Sequence, residues 1–166
     1  MALTVVETAP AHLEEMRRLL NQIIHVGGMT AYQEPYAADA FAEKFLHGDK
    51  LRSSLVALDA DGSVAGFQVL IANDDLPAGW LDIATFARLE NKVRGVGTEL
   101  FPVTLANAKT LGCPTITACI RADNTGGLAF YDKLGFVPYD VITAAPLADG
   151  TPVDRLIKTF PVTSPA

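Results

Sequence analysis

Lys92-Val93-Arg94-Gly95-Val96-Gly97-Thr98 stands between an apolar run, Trp80–Ala87, and a helical pattern that reaches about Leu111 before Gly112 ends it. Glycines let a backbone approach an anion closely. The first turn of a helix then offers unpaired N–H groups and the positive end of its dipole. Arg88, Lys92 and Arg94 against Glu90 make this stretch locally basic in an acidic chain. A glycine-softened turn would read the same way, so the pattern alone does not name a ligand. Two phosphate-binding motifs are excluded by the residues. Gly97 is followed by Thr98-Glu99 rather than the Lys-Ser/Thr of a P-loop, and a dinucleotide fingerprint needs three glycines after a first strand.

The rest of the chain fills in around that stretch. Leu3–Glu7 alternates as a first strand. Thr8 is expected to cap the helix that follows, with Pro10 in its first turn. Leu13, Met16, Leu19, Leu20, Ile23 and Ile24 recur at helical spacing until Gly27-Gly28. A loop through Met29–Pro35 leads to a shorter helix near Ala37–His47. Leu51–Leu58 and Ser63–Ala72 form a hairpin across Asp59-Ala60-Asp61-Gly62, and Trp80–Ala87 adds a third strand to the meander. Thr115–Ile120 reads as a strand and Asn124–Leu134 as a helix closed by Gly135. Phe136–Thr143 and Val153–Phe160 are two terminal strands joined through Ala148-Asp149-Gly150. The order β-α-α-β-β-β-α-β-α-β-β predicts an α+β fold, with residues 1–166 as one domain. Pro102 falls past the first turn of its helix, so a kink or widened turn is expected near Thr98–Pro102. Gly126-Gly127 loosens the next helix at about 1 kcal/mol per glycine relative to alanine.

Composition narrows the function classes. The 166 residues are 49% hydrophobic and 19% charged, with a formal net charge of −6. Such a chain can bury a full core, and disorder is excluded. The acidity argues against nucleic acid and anionic membrane surfaces as partners. No apolar run approaches the roughly 18 residues of a membrane span. The N-terminus lacks a basic segment and is unlike a signal peptide. Cys113 and Cys119 lack CxxC spacing and are expected to be buried free thiols of a reducing cytoplasm. His12, His25 and His47 are scattered, and no metal site is expected.

A second motif follows the first in order: Asn124-Thr-Gly-Gly-Leu-Ala-Phe-Tyr131-Asp-Lys-Leu-Gly-Phe136. Asn124 is placed to cap a helix, and Tyr131 lies two turns along it. Together the two motifs resemble the coenzyme A signature, [Arg/Gln]-x-x-Gly-x-[Gly/Ala], and the Asn…Tyr…Gly-Phe signature of the GNAT (GCN5-related) N-acetyltransferases. Lys92 stands for the usual Arg/Gln, and Gly127 for the usual Ala/Ser. The resemblance implies a mixed, mostly antiparallel central sheet splayed between its fourth and fifth strands and flanked by about four helices. It also implies acetyl-CoA as acyl donor. Pantetheine would pair with the backbone of Phe86 and Ala87, and the pyrophosphate would sit on Lys92, Val93, Arg94, Gly95, Val96, Gly97 and Thr98, with Asn124 as a further cofactor contact. Tyr131 would be the general acid and Asp82 the base, with Glu34 in reserve. Asp82 shares a strand face with Ala84 and Phe86, so it serves as base only if that face looks into the cleft. The loop Gly27–Tyr36 would cover the acceptor, placing Tyr32 and Glu34 as substrate contacts. Thr30–Pro35 resembles the phosphinothricin and methionine-sulfoximine acetyltransferases of the family. The implied activity is transfer of acetyl to a small-molecule amine. A protein or peptide amine acceptor and a non-catalytic CoA-binding module stay open, and the apolar C-terminal strands leave a homodimer open.

Overall fold

The computed structural model describes residues 3–162. Strand β1 (Thr4–Glu7) is followed by a short 3-10 turn, Pro10–His12, and by helices α1 (Leu13–Val26) and α2 (Ala38–Phe45). Strands β2 (Leu51–Leu58), β3 (Val64–Ala72) and β4 (Leu81–Ala87) form the meander. Helix α3 (Val96–Thr110), strand β5 (Thr115–Arg121) and helix α4 (Thr125–Leu134) lead to the terminal hairpin, β6 (Val137–Pro146) and β7 (Pro152–Pro161). All seven strands join one sheet in the order β1-β2-β3-β4-β5-β7-β6. Every neighbouring pair is antiparallel except β4 and β5, which run parallel.

The parallel pair is the feature that makes a site. β4 and β5 are in register only at Leu81–Ile116 and Asp82–Thr117. Beyond those two rungs the strands diverge, and the sheet opens toward Ala87 and Arg121. Helices α1 and α2 cover one face, where Met16, Leu19, Leu20, Ile23, Phe41 and Phe45 bury against Phe67, Val69 and Phe86. Helices α3 and α4 cover the other, where Phe101, Ala108 and Tyr131 pack with Leu81, Ile83 and Ile116. Each fully buried side chain of this kind contributes about 1.5–3 kcal/mol. These two cores hold the edges of the opening in place.

Three expectations change. Thr8 does not cap a helix: its hydroxyl pairs with Ser54 Oγ at 2.7 Å, tying β1 to β2. His12 Nδ1 instead accepts from the Ala9 N–H at 3.0 Å across the 3-10 turn, and no side chain caps α1 itself. Helix α3 runs unbroken through Pro102, so the widened turn is absent. Pro102 is exposed, and water can satisfy the carbonyl it leaves unpaired. Cys113 is buried, its thiol donating to the Thr115 carbonyl, but Cys119 is exposed where β5 has parted from β4 while still paired with β7. Alternation along β5 puts Cys119 on the face away from Ile116 and Ile120.

Candidate active site

A cleft of about 990 Å³ occupies the opening between β4 and β5. Asp82, Ala84 and Phe86 reach it from the α1/α2 face of β4, and Thr85 and Tyr131 from the α3/α4 face. An intact sheet would keep an acid and a tyrosine so placed on opposite sides. The divergence of the strands lets them share one cavity.

Tyr131 is buried, and its hydroxyl lies 3.0 Å from Thr85 Oγ1. Burial pushes its pKa up to about 12, with the Thr85 hydrogen bond working the other way. The phenol is therefore in its donor form throughout the neutral range. Asp82 is held at both oxygens: Asn73 Nδ2 donates to Oδ2 at 2.8 Å, and the Thr117 hydroxyl donates to Oδ1. Neither partner is a cation, so no ion pair competes for the carboxylate, and each oxygen has a lone pair left for a further donor. Cys119 and Arg155 line the cleft nearby.

The start of α3 lies at the other end of the cleft. Gly95, at φ 81°, turns the chain into the helix in a left-handed conformation that favours glycine. The first helical bond is Glu99 N–H to the Gly95 carbonyl, 2.8 Å. Among the described residues the amides of Val96, Gly97 and Thr98 donate to nothing. Gly97 is enforced by packing, since a Cβ there would sit 2.5 Å from the Phe130 ring. Lys92 and Arg94 are exposed and form no ion pair among the described residues. Arg88 is different: it pairs with Asp59 at 2.5 Å and donates to the carbonyls of Asn91 and Val64. Its charge anchors the loop to the β2–β3 turn, so the positive field here comes from Lys92, Arg94 and the helix end.

The start of α4 is closed. Asn124 Oδ1 accepts from the Gly127 N–H at 2.9 Å, and its Nδ2 donates to the Met29 carbonyl at 3.1 Å. A Cβ on Gly127 would meet that carboxamide at 2.5 Å, which explains one of the two glycines; Gly126 has no such neighbour. Arg121 donates to the Thr30 carbonyl at 3.4 Å. The loop between α1 and α2 is thus strapped across the cleft by two side chains from the β5–α4 junction.

Within that strap Tyr32 packs on Phe86, with ring centroids 6.0 Å apart, and burial raises its phenol pKa. The ammonium of Lys44 sits 4.6 Å from the Tyr32 ring centroid, and burial lowers its pKa. Glu34 is exposed and absent from the cleft wall. The cleft therefore brings together Tyr32, Asp82, Phe86, Ala87, Gly97, Asn124 and Tyr131. Val93, Gly95, Val96 and Thr98 flank its end. Sequence reasoning missed Asn73, Thr85, Thr117, Cys119, Arg155 and Lys44, which arrive through strand register and helix packing. Gln68, behind Thr85, did carry a signal as the only polar side chain within Val64–Ala72.

The model of the acetyltransferase (GNAT) family matches residues 14–136. The chain belongs to that family. Among solved GNAT-like structures, an N-acetyltransferase from Staphylococcus aureus Mu50 superposes with a TM-score of 0.87 at 17% identity, covering 98% of this chain and 100% of its own. A phosphinothricin acetyltransferase from Sinorhizobium meliloti, in complex with AcCoA, gives 0.85 at 21% identity over 100% of this chain and 94% of its own. A ribosomal-protein-alanine N-acetyltransferase from Brucella melitensis gives 0.84 at 15%, covering 95% and 99%. At these identities the likeness shows the GNAT fold, and it spans relatives with differently named acceptors. No curated protein sequence matches the chain. No helix among the described residues is long and apolar enough to cross a membrane.

Proposed function

We propose that this GNAT protein is an acetyl-CoA-dependent N-acetyltransferase that passes the acetyl group directly to the primary amine of a small molecule. The observation that carries the reading is the meeting of Asp82 and Tyr131 in one cleft, from opposite faces of the divided sheet, with the open start of α3 at its end. The Val96–Thr98 amides, with Val93 and Gly95 shaping the turn and Lys92 and Arg94 adding charge, suit a pyrophosphate. The unpaired edge of β4 at Phe86 and Ala87 suits an extended amide-bearing arm. Asn124 and Phe130 would border that arm.

Each proton has a place to go. Asp82, oriented by Asn73 and Thr117, takes a proton from the acceptor ammonium, directly or through one water. The free amine attacks the thioester carbon, the attached nitrogen sheds its second proton to water, and the C–S bond breaks with its electron pair on sulfur. Tyr131 donates its hydroxyl to that sulfur. A thiol titrates near 8.5 and this phenol near 12, so full transfer in the resting state is uphill. Tyr131 acts most strongly as a hydrogen bond to the developing thiolate, where desolvation makes the sulfur more basic. Asp82 is preferred to Glu34 as base because Glu34 is exposed and off the cleft.

The strap over the cleft favours a small acceptor over a protein chain. A cytoplasmic location belongs to the same proposal, since Cys113 and Cys119 are both free thiols. The test is thiol release from acetyl-CoA across a panel of small amines, amino acids and peptides. Amine-dependent release with small acceptors is expected. Release with peptides alone would move the acceptor to protein. Tight CoA binding with no release would make the chain a binding module.

A further inference from the structure

Strand β3 reads Val-Ala-Gly-Phe-Gln-Val-Leu-Ile-Ala, and its one polar side chain, Gln68, is fully buried. An apolar residue would pack there without the cost of desolvating an amide. Across the ladder Gln68 faces Thr85, and its Nε2 donates to Thr85 Oγ1 at 2.9 Å. The same Thr85 oxygen lies 3.0 Å from the Tyr131 hydroxyl. Gln68 Oε1 is buried with no partner among the described residues. Three polar groups in series thus run from the closed part of the sheet to the cleft.

A count of protons permits donation from Thr85 toward Tyr131. Thr85 has a single hydroxyl proton and two acceptor positions, one of which Gln68 occupies. Its proton can then point to the Tyr131 oxygen, which leaves the phenol proton facing the cleft. Turning the Gln68 amide over would let Oε1 accept from Thr85 and would make Tyr131 donate into the sheet. That arrangement would bury an unpaired NH2 group where one carbonyl oxygen now stands unpaired, and orphaned buried N–H groups are the rarer defect.

Resting on the acid role proposed for Tyr131, we infer that Gln68 and Thr85 are positioning residues whose serial donation to the Tyr131 oxygen aims the phenol proton at the leaving sulfur. When the C–S bond breaks, that proton moves to sulfur and the negative charge passes to the Tyr131 oxygen, where the Thr85 hydroxyl stabilises it. The amine nitrogen gives up two protons. The one lost from the ammonium leaves through Asp82 to solvent, and the one shed after attack returns through water to restore the phenol. The cycle closes with N-acetylamine, CoA thiol and one released proton. The Thr85 bond also lowers the phenol pKa against burial, the direction a proton donor needs.

The test is a double-mutant cycle on acetyl-CoA turnover with the best acceptor amine. Gln68→Leu and Thr85→Val are each expected to lower kcat about tenfold, the worth of a hydrogen bond to a developing charge, with KM for acetyl-CoA unchanged. Thr85→Val should also move the alkaline limb of the kcat profile upward. In a Tyr131→Phe background neither substitution should cost anything more. Gln68→Met fills the same space and should behave as Gln68→Leu, which separates the relay from a packing defect. Losses that persist in full beside Tyr131→Phe, or folded variants with unchanged kcat, overturn the relay. A Tyr131→Phe protein at full rate overturns the acid role itself, and the relay with it.

Discussion

The starts of α3 and α4 invite comparison because each helix follows a strand that borders the opening in the sheet. At α3 the capping position is Gly95, which has no side chain to offer, and the amides of Val96–Thr98 remain available. At α4 it is Asn124, whose carboxamide closes the first turn and binds the α1–α2 strap. One start keeps its amides unpaired, as the proposed anion site requires, and the other is sealed by the side chain that caps the helix carrying Tyr131. A side chain at the cap decides between binding and positioning. Lesions at α3 should therefore appear in KM for acetyl-CoA, and lesions along α4 in kcat or in stability.

Tyr131→Phe should break the comparison most visibly. It is expected to lower kcat about 10²-fold with little change in KM for acetyl-CoA, at the lower end of general-acid contributions; steady-state kinetics with varied donor decide it. A rise in KM at constant kcat would put α4 in the binding half instead.

The same side chain makes an alkaline prediction. Its folded pKa, about 12, lies above the ordinary value of 10.0, so the folded state holds its proton longer than the unfolded state. Stability from this group is complete below pH 10 and falls as pH rises toward 12, by roughly 2–3 kcal/mol. Urea unfolding at pH 9.5 and 11.5 should show Tyr131→Phe losing less over that interval than the parent protein.

Gly97→Ala tests the open start. The new Cβ, 2.5 Å from the Phe130 ring as it now lies, would press that ring toward the cleft. Affinity for acetyl-CoA should fall about tenfold, a loss of about 1.4 kcal/mol, and Phe130→Leu in the same chain should restore much of it, as titration calorimetry would show. Failure of that rescue would mean the glycine serves the ligand alone.

Asn124→Ala should cost about 1 kcal/mol of stability for the lost cap, read from urea midpoints. Gly127→Ala should be harmful in the parent protein and harmless in an Asn124→Ala background, because its clash is with the Asn124 carboxamide. Smallest of all, Lys92→Ala should raise KM for acetyl-CoA only severalfold, and less at high salt.

What was legible in the sequence follows the reach of each interaction. Both helix starts are local, so the Gly95/Gly97 spacing and the Asn124 cap could be read from neighbouring residues. The division of the sheet between its fourth and fifth strands was legible through the resemblance that the two motifs carry. Asp82 was placed on the correct strand, but Asn73 and Thr117, which hold it, depend on how β3, β4 and β5 align. Arg88 looked like a ligand for an anion because its partner, Asp59, is 29 residues away in the chain. Cys119 looked like core because alternation alone does not say which face of β5 is left uncovered. Gln68 stood out as polar in an apolar strand, yet only register against Thr85 gives it a purpose. Pro102 broke a local rule without breaking the helix, since its exposed position lets water take the place of the missing bond.

The central claim is that the α3 start receives the donor while the α4 start does not. Amide hydrogen exchange measured by NMR with and without acetyl-CoA tests it directly. The account predicts marked slowing at Val96, Gly97 and Thr98 and little change at Gly127, already bonded to Asn124. Slowing at the first turn of α4 with none at Val96–Thr98 would contradict it.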